Sequence, residues 1–185
     1  MRIIGIDDGS FHPHRKEKQE TLLVAVLFQN LRILAVRVGR IEVDGREANQ
    51  VLSSILRKMR FDLVMLSGIS FGGFNVVDIA ELSRVIHKPV SAVTGERPDN
   101  HAVRQALRHH FVDWKERWQM VRNAGKIYSY KPLANEPPLF FEVQGGSPVF
   151  VKKAVALTSR ISRLPEPIRV ARIVARALSN LTIQA

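Results

Sequence analysis

Residues 3–11 read Ile-Ile-Gly-Ile-Asp-Asp-Gly-Ser-Phe, and the layout of the whole chain follows from this stretch. Ile3, Ile4, Gly5 and Ile6 form an unbroken apolar run, as expected of a strand buried on both faces. Asp7 and Asp8 end the run, and Gly9 begins a turn. A carboxylate taken out of water is costly unless it meets a cation or hydrogen-bond donors, so an aspartate at the tip of a central strand implies a partner. An arginine would serve, and two further partners suit it. One is a catalytic metal ion, for which such an aspartate serves as first ligand; the other is the set of amides in the turn itself.

Outward from this strand, residues 12–20 form a polar loop in which His12 and His14 flank Pro13. His-x-His can ligate a metal, but Arg15, Lys16 and Lys18 would repel one. Thr21–Phe28 and Leu31–Val38 read as two further strands joined at Gln29-Asn30, the second continuing towards Val43. Three strands without an intervening helix predict an antiparallel meander. At Asp44 the period changes: Ala48, Val51, Leu52, Ile55, Leu56 and Met59 fall on one face of a helix. Asp44 and Glu47 have capping-box spacing at its start, and Arg57, Lys58 and Arg60 suit the negative end of its dipole. Asp62–Ser67 is a fourth strand, followed by the glycine-rich loop 68–73, a helix from about Asn75 to Ile86, and a fifth strand at Pro89–Val93. Strand, loop, helix and strand make a crossover, so strands four and five should run parallel. The fold class expected is α/β, a mixed sheet of meander plus parallel strands flanked by helices, the ribonuclease H-like order.

The second half is mainly helical. Asp99 caps a helix to about His110, and Asp113 caps another carrying Trp114, Trp118 and Val121. Residues 131–138 hold three prolines and form a loop, Leu139–Val143 is an edge strand, and helices follow at Pro148–Ser159 and Pro165–Leu181. No linker or repeat divides the chain, so residues 1–185 are expected to form one domain.

The 185 residues are 45% hydrophobic and 24% charged, enough for a sizeable core. No apolar run reaches the roughly 20 residues that span a bilayer, and Asp7 and Asp8 interrupt any signal-like N-terminus. Without cysteine there is neither a disulfide framework nor a thiolate metal site. A cytoplasmic protein with no membrane partner is expected. The net charge of +11 favours a polyanionic partner, nucleic acid first, although solubility alone also accounts for such a surplus. Seven Lys or Arg lie between Phe150 and Ala185 against Glu166 alone.

Candidate chemistry gathers at three places. Asp7 is the strand-tip carboxylate, Glu47 stands at the start of the first helix, and Ser67-Gly68 end the strand expected beside the first. Carboxylates at such places converge in metal-dependent nucleases, because Mg²⁺ takes hard oxygen ligands. Glu47 is equally well explained as a capping residue, and Ser67 is a poor substitute for a carboxylate. Asp8 and Asp78 are the nearest stand-ins, although Asp78 also reads as a helix cap and Asp8 lies on the opposite face of an ideal strand from Asp7. The loop carrying Gly68, Gly72, Gly73 and Asn75 offers small residues and a following helix N-terminus to a phosphate, but no Walker lysine follows. Arg169, Arg172 and Arg176 form a basic ridge for nucleic acid, or a solvated face opposite Val170, Ile173, Val174, Ala177 and Leu178. His87, His109 and His110 have no partner at metal or nucleophile spacing.

The strings GIDDGSF, VDGREA, SGISFGGFNVVDI and LPEPIRVARIVARAL, in this order from Gly5 to Leu178, resemble an uncharacterised archaeal family related to endonuclease V. The resemblance implies a ribonuclease H-like fold and cleavage of nucleic acid near deaminated bases with Mg²⁺ or Mn²⁺. It implies that Asp7 is the central metal ligand and that Glu47, in Arg46-Glu47-Ala48, is a ligand or water-orienting base. It departs from the enzymes at Ser67-Gly68, where they carry Asp-Gly, and at Gly72–Asn75, where they carry a His-Pro-Arg segment. The leading expectation is a divalent-metal-dependent endonuclease; the rivals are a non-catalytic nucleic-acid-binding module with a degenerate metal site and a phosphate-ligand-binding regulator.

Overall fold

The computed structural model describes residues 1–11 and 18–183. His12 and His14 therefore lie outside the described residues. Among the described residues, seven strands form one mixed sheet in the order β3-β2-β1-β4-β7-β9-β8. Its members are β1 (Arg2–Asp8), β2 (Glu20–Gln29), β3 (Arg32–Glu42), β4 (Leu63–Leu66), β7 (Val90–Thr94), β8 (Tyr128–Tyr130) and β9 (Leu139–Gln144). A two-stranded hairpin, β5 (Ser70–Phe71) and β6 (Asn75–Val76), stands apart from it. The helices are α1 (Ala48–Leu56), α2 (Ile79–Ile86), α3 (Asn100–His110), α4 (Trp114–Asn123), α5 (Pro148–Thr158) and α6 (Glu166–Ile183).

The meander and the crossover both form. β1 pairs antiparallel with β2 and parallel with β4, and β4 pairs parallel with β7. The β1–β4 register sets Ile6 opposite Leu66, and the Ser67 amide donates to the Ile6 carbonyl, so Asp7 and Ser67 emerge side by side.

Alternation along β1 sends its residues to two different layers. Ile4 and Ile6 pack with Leu52, Leu56, Ile79 and Leu82 from α1 and α2. Ile3 packs on the other face with Ile168 and with Val151 and Val155 of α5. Gly5 shares that face, and a Cβ on it would lie 2.0 Å from the Pro167 carbonyl carbon. The missing side chain lets the start of α6 lie directly on the sheet. The buried face of α6 is Ile168, Ala171, Ala175 and Ser179, three of them small for the same reason.

The apolar face predicted for α6 is thus rotated: Ile173 and Ala177 are exposed, while Val170, Val174 and Leu178 flank the seam. Three other elements differ from the sequence pattern. α2 starts at Ile79, not near Asn75, because Asn75-Val76 pairs in the hairpin and Asp78 is the cap. α1 has no capping box: Glu47 occupies the cap position without a side-chain cap bond. β9 is not an edge strand, because β8 pairs outside it. Among the described residues, no helix is long and apolar enough to cross a membrane.

Candidate functional site

At the carboxyl ends of β1 and β4 lies a cleft of about 540 Å³, lined by Asp7, Asp8, Ser10, Ser67, Arg172 and Arg176 among others. This is the end of a parallel α/β sheet at which ligands bind. Asp7 is 5% exposed. Its Oδ2 accepts from Arg172 Nε at 2.7 Å, and its Oδ1 accepts from the Asp8 amide at 3.0 Å. Arg172 Nη2 also donates to Ser67 Oγ at 2.8 Å. One guanidinium therefore joins the tips of β1 and β4 from α6, 165 residues beyond Asp7. The partner implied by a buried strand-tip aspartate is this arginine together with the next amide of the strand.

Asp8 points to the other layer, as period two requires. Its Oδ2 accepts from the Gly72 amide at 2.6 Å. Burial pushes its carboxyl up to about 6 against the pull of that amide, and the neighbouring Asp7 adds to the rise.

The glycine loop is held from within. The Gly72 carbonyl accepts from the Asp44 amide, and Asp44 Oδ1 accepts from the Phe74 amide at 2.8 Å. Gly73 has φ +81°, and a Cβ there would meet the same carboxylate at 2.4 Å, so the turn requires glycine. Asn75 is fully buried; its Oδ1 accepts from the Ala48 amide and its Nδ2 donates to the Glu42 carbonyl. The α2 N-terminus is closed by Asp78, which accepts from the Ala80 and Glu81 amides and from Asn123 Nδ2. Of the residues expected to hold a phosphate, Gly72 already gives its amide to Asp8, and the Phe74 amide between Gly73 and Asn75 serves Asp44. Gly68, with φ +91°, instead lines a separate pocket described below.

Glu47 lies outside the residues lining the cleft. Its two carboxylate oxygens accept from the amides of Glu42 and Arg46. Burial raises its pKa, but these amides, its own amide and the Asn75 side chain together hold the carboxyl below the usual range. Of the three arginines on α6, Arg169 is paired with Glu166 through two bonds of 2.8 and 2.7 Å. Arg172 and Arg176 line the cleft. The residue that the sequence pattern conceals is Arg117, whose buried guanidinium binds the Asp44, Gly45 and Phe74 carbonyls behind the loop. Its i,i+4 spacing from Asp113 was the one legible signal.

The Endonuclease dU family model matches residues 1–179. The chain belongs to the Endonuclease dU family. A UPF0215 protein of Methanothermobacter thermautotrophicus is 35% identical over 184 residues, covering 97% of this chain and 88% of its own. The crystal structure of a protein of unknown function from Archaeoglobus fulgidus has a TM-score of 0.83 at 27% identity, covering 96% of this chain and 97% of its own. Endonuclease V of Bacillus subtilis has a TM-score of 0.66 at 9% identity, over 99% of this chain and 82% of its own. The shared fold is the ribonuclease H-like α/β fold of endonuclease V, as the quoted strings implied.

In this Endonuclease dU family member the described residues do not fit a divalent-metal centre. A cation, Arg172, already sits on the Asp7 oxygen, and Ser67 supplies only a hydroxyl. Glu47 and Asp78 are committed to backbone amides. Among the described residues, no group of three or more His, Asp or Glu is placed to hold a metal ion.

A second pocket, of about 180 Å³, opens behind Gly68 and is lined by Ile69, Phe74, Val103, Val121 and Glu142 among others. Glu142 is buried, and burial pushes its carboxyl from 4.5 up to about 7. The folded state therefore keeps this proton between pH 4.5 and 7, where the unfolded chain releases it. Stability falls as pH rises through that window and is unaffected below it. Glu142→Gln is expected to stabilise the fold by on the order of 3 kcal/mol at pH 8 and hardly at all at pH 4. Thermal unfolding at the two pH values checks this; equal gains at both would show that the charge is not the cause.

Proposed function

We propose that this protein acts on nucleic acid at the Asp7–Ser67–Arg172 cleft, cleaving the phosphodiester backbone at deoxyuridine as its family's name describes. The observation that carries this reading is the buried Asp7 carboxylate meeting Arg172 at the end of the sheet. An acidic group beside guanidinium donors is what phosphodiester hydrolysis asks of side chains: one group to manage a proton, others to meet the developing charge. The pocket behind Gly68 is apolar with one carboxyl in its wall, a setting for a single planar base drawn out of the stack. The net charge of +11 supplies attraction to the backbone.

The test is strand scission of a labelled oligonucleotide carrying one deoxyuridine, beside an unmodified control. Cleavage of the first alone is expected, with Asp7→Asn lowering the rate by about 100-fold or more. Ser67, in place of the aspartate of the endonuclease V pattern, favours a second reading, a binding module without hydrolysis. No scission, together with binding that weakens steeply with salt, would select it; binding indifferent to salt would remove both.

A further inference from the structure

We propose that Arg172 is the permanent cation of this cleft, taking the place that the resemblance to endonuclease V would give a divalent metal, so that phosphate is bound there without metal. The ligand class, a phosphodiester, rests on the function proposed above; the absence of a metal requirement does not.

Among the described residues, Arg172 spends Nε–H on Asp7 and one Nη2–H on Ser67, leaving three of its five N–H donors for a ligand. Its side chain is 41% exposed, whereas that of Asp7 is 6% exposed. The carboxylate is thus largely covered by the guanidinium, and most of what the pair presents to the cleft is the positive group. A metal reaching Asp7 Oδ2 would have to displace a guanidinium that does not deprotonate and would remain nearby as a repelling charge. Ser67 and Arg172 also line a neighbouring cleft of about 400 Å³, together with Thr94 and Arg163. The two clefts meet at Arg172, with Arg176 in one and Arg163 in the other. A strand crossing the sheet end would pass three arginines, Arg172 in the middle.

Mn²⁺ binding followed by electron paramagnetic resonance and binding of a short single-stranded oligonucleotide followed by fluorescence anisotropy test this on the intact chain. Wild type is expected to bind no stoichiometric Mn²⁺ and to hold the oligonucleotide equally well in EDTA and in Mg²⁺. Arg172→Gln, which keeps a hydrogen-bonding side chain without the charge, should weaken the oligonucleotide about tenfold and lower the log–log salt slope by about 0.7. The double variant Arg172→Ala with Ser67→Asp should gain Mn²⁺ binding. One Mn²⁺ per wild-type chain that is lost in Asp7→Asn would overturn the proposal, as would oligonucleotide binding that disappears in EDTA. If wild type binds no oligonucleotide in any buffer, the nucleic-acid reading falls, and the Mn²⁺ measurements on wild type and double variant still decide which cation the site holds. Circular dichroism of each variant separates these outcomes from loss of fold.

Discussion

Gly5→Ala is expected to cost about 3 kcal/mol of stability, a fall of about 10 °C in Tm, and to loosen the cleft at the same time. The reason is space. A Cβ at Gly5 would lie 2.0 Å from the Pro167 carbonyl carbon, 2.1 Å from its oxygen and 2.5 Å from the Ile168 amide nitrogen. All three are backbone atoms, so no rotamer relieves the contact and α6 must move away from the sheet. That movement would open the seam of Ile168, Ala171 and Ala175 against β1 and β2. It would also carry Arg172 away from Asp7. Urea denaturation measures the first effect, and oligonucleotide affinity in the folded fraction measures the second. A variant within about 0.5 kcal/mol of wild type would mean that α6 is not seated on Gly5.

Removing Arg117 is expected to cost about 4 kcal/mol, because three backbone carbonyls lose their donor at about 1–3 kcal/mol each. Its side chain is 7% exposed. Nε bonds both Asp113 oxygens at 3.0 and 3.1 Å, Nη1 reaches the Gly45 and Phe74 carbonyls, and Nη2 reaches the Asp44 carbonyl. The guanidinium also stacks 4.4 Å from the centroid of the Phe111 ring. Arg117→Ala leaves a carboxylate and three carbonyls without these partners, and each buried acceptor left unmade is penalised. Arg117→Lys should recover little, because a compact ammonium cannot span three carbonyls on two separate turns. The Asp44–Gly45 turn and Phe74 are the two flanks of the loop that holds Asp8. Hydrogen exchange of the Gly72 and Phe74 amides should therefore accelerate more than exchange in β1. Uniform acceleration across the chain would make Arg117 a general core residue instead.

Much of this architecture is local, and local patterns are legible. The apolar run at Ile3–Ile6, the meander from Thr21 to Glu42, the helical period from Ala48 and the crossover through β4, α2 and β7 all follow from periodicity and chain connectivity. Connectivity also determines that Asp7 and Ser67 leave adjacent parallel strands. Elements misplaced by the sequence pattern were those decided by partners elsewhere. Helix α2 begins late because Asn75 is drawn into a hairpin and its side chain is buried against Glu42 and Ala48. β9 lies inside the sheet because the three residues of β8, too short for a periodic signal, pair outside it.

The site divides along the same line. By itself the sequence determined a strand-tip Asp7 in need of a partner, a serine in place of a second carboxylate, and a basic C-terminal helix. Which partner Asp7 takes was beyond it. A ridge of Arg169, Arg172 and Arg176 reads as one solvent-facing stripe, yet Glu166 holds the first, Asp7 and Ser67 hold the second, and the third faces the cleft. Helical spacing gives the relative angle between side chains, while the absolute rotation of a helix is set by what it packs on. Here the empty space above Gly5 and the small residues Ala171 and Ala175 set it, turning Arg172 onto the strand tips. A contact between residues 7 and 172 has no local signature in sequence; it exists because the sheet brings one to its end and the last helix brings the other back across it.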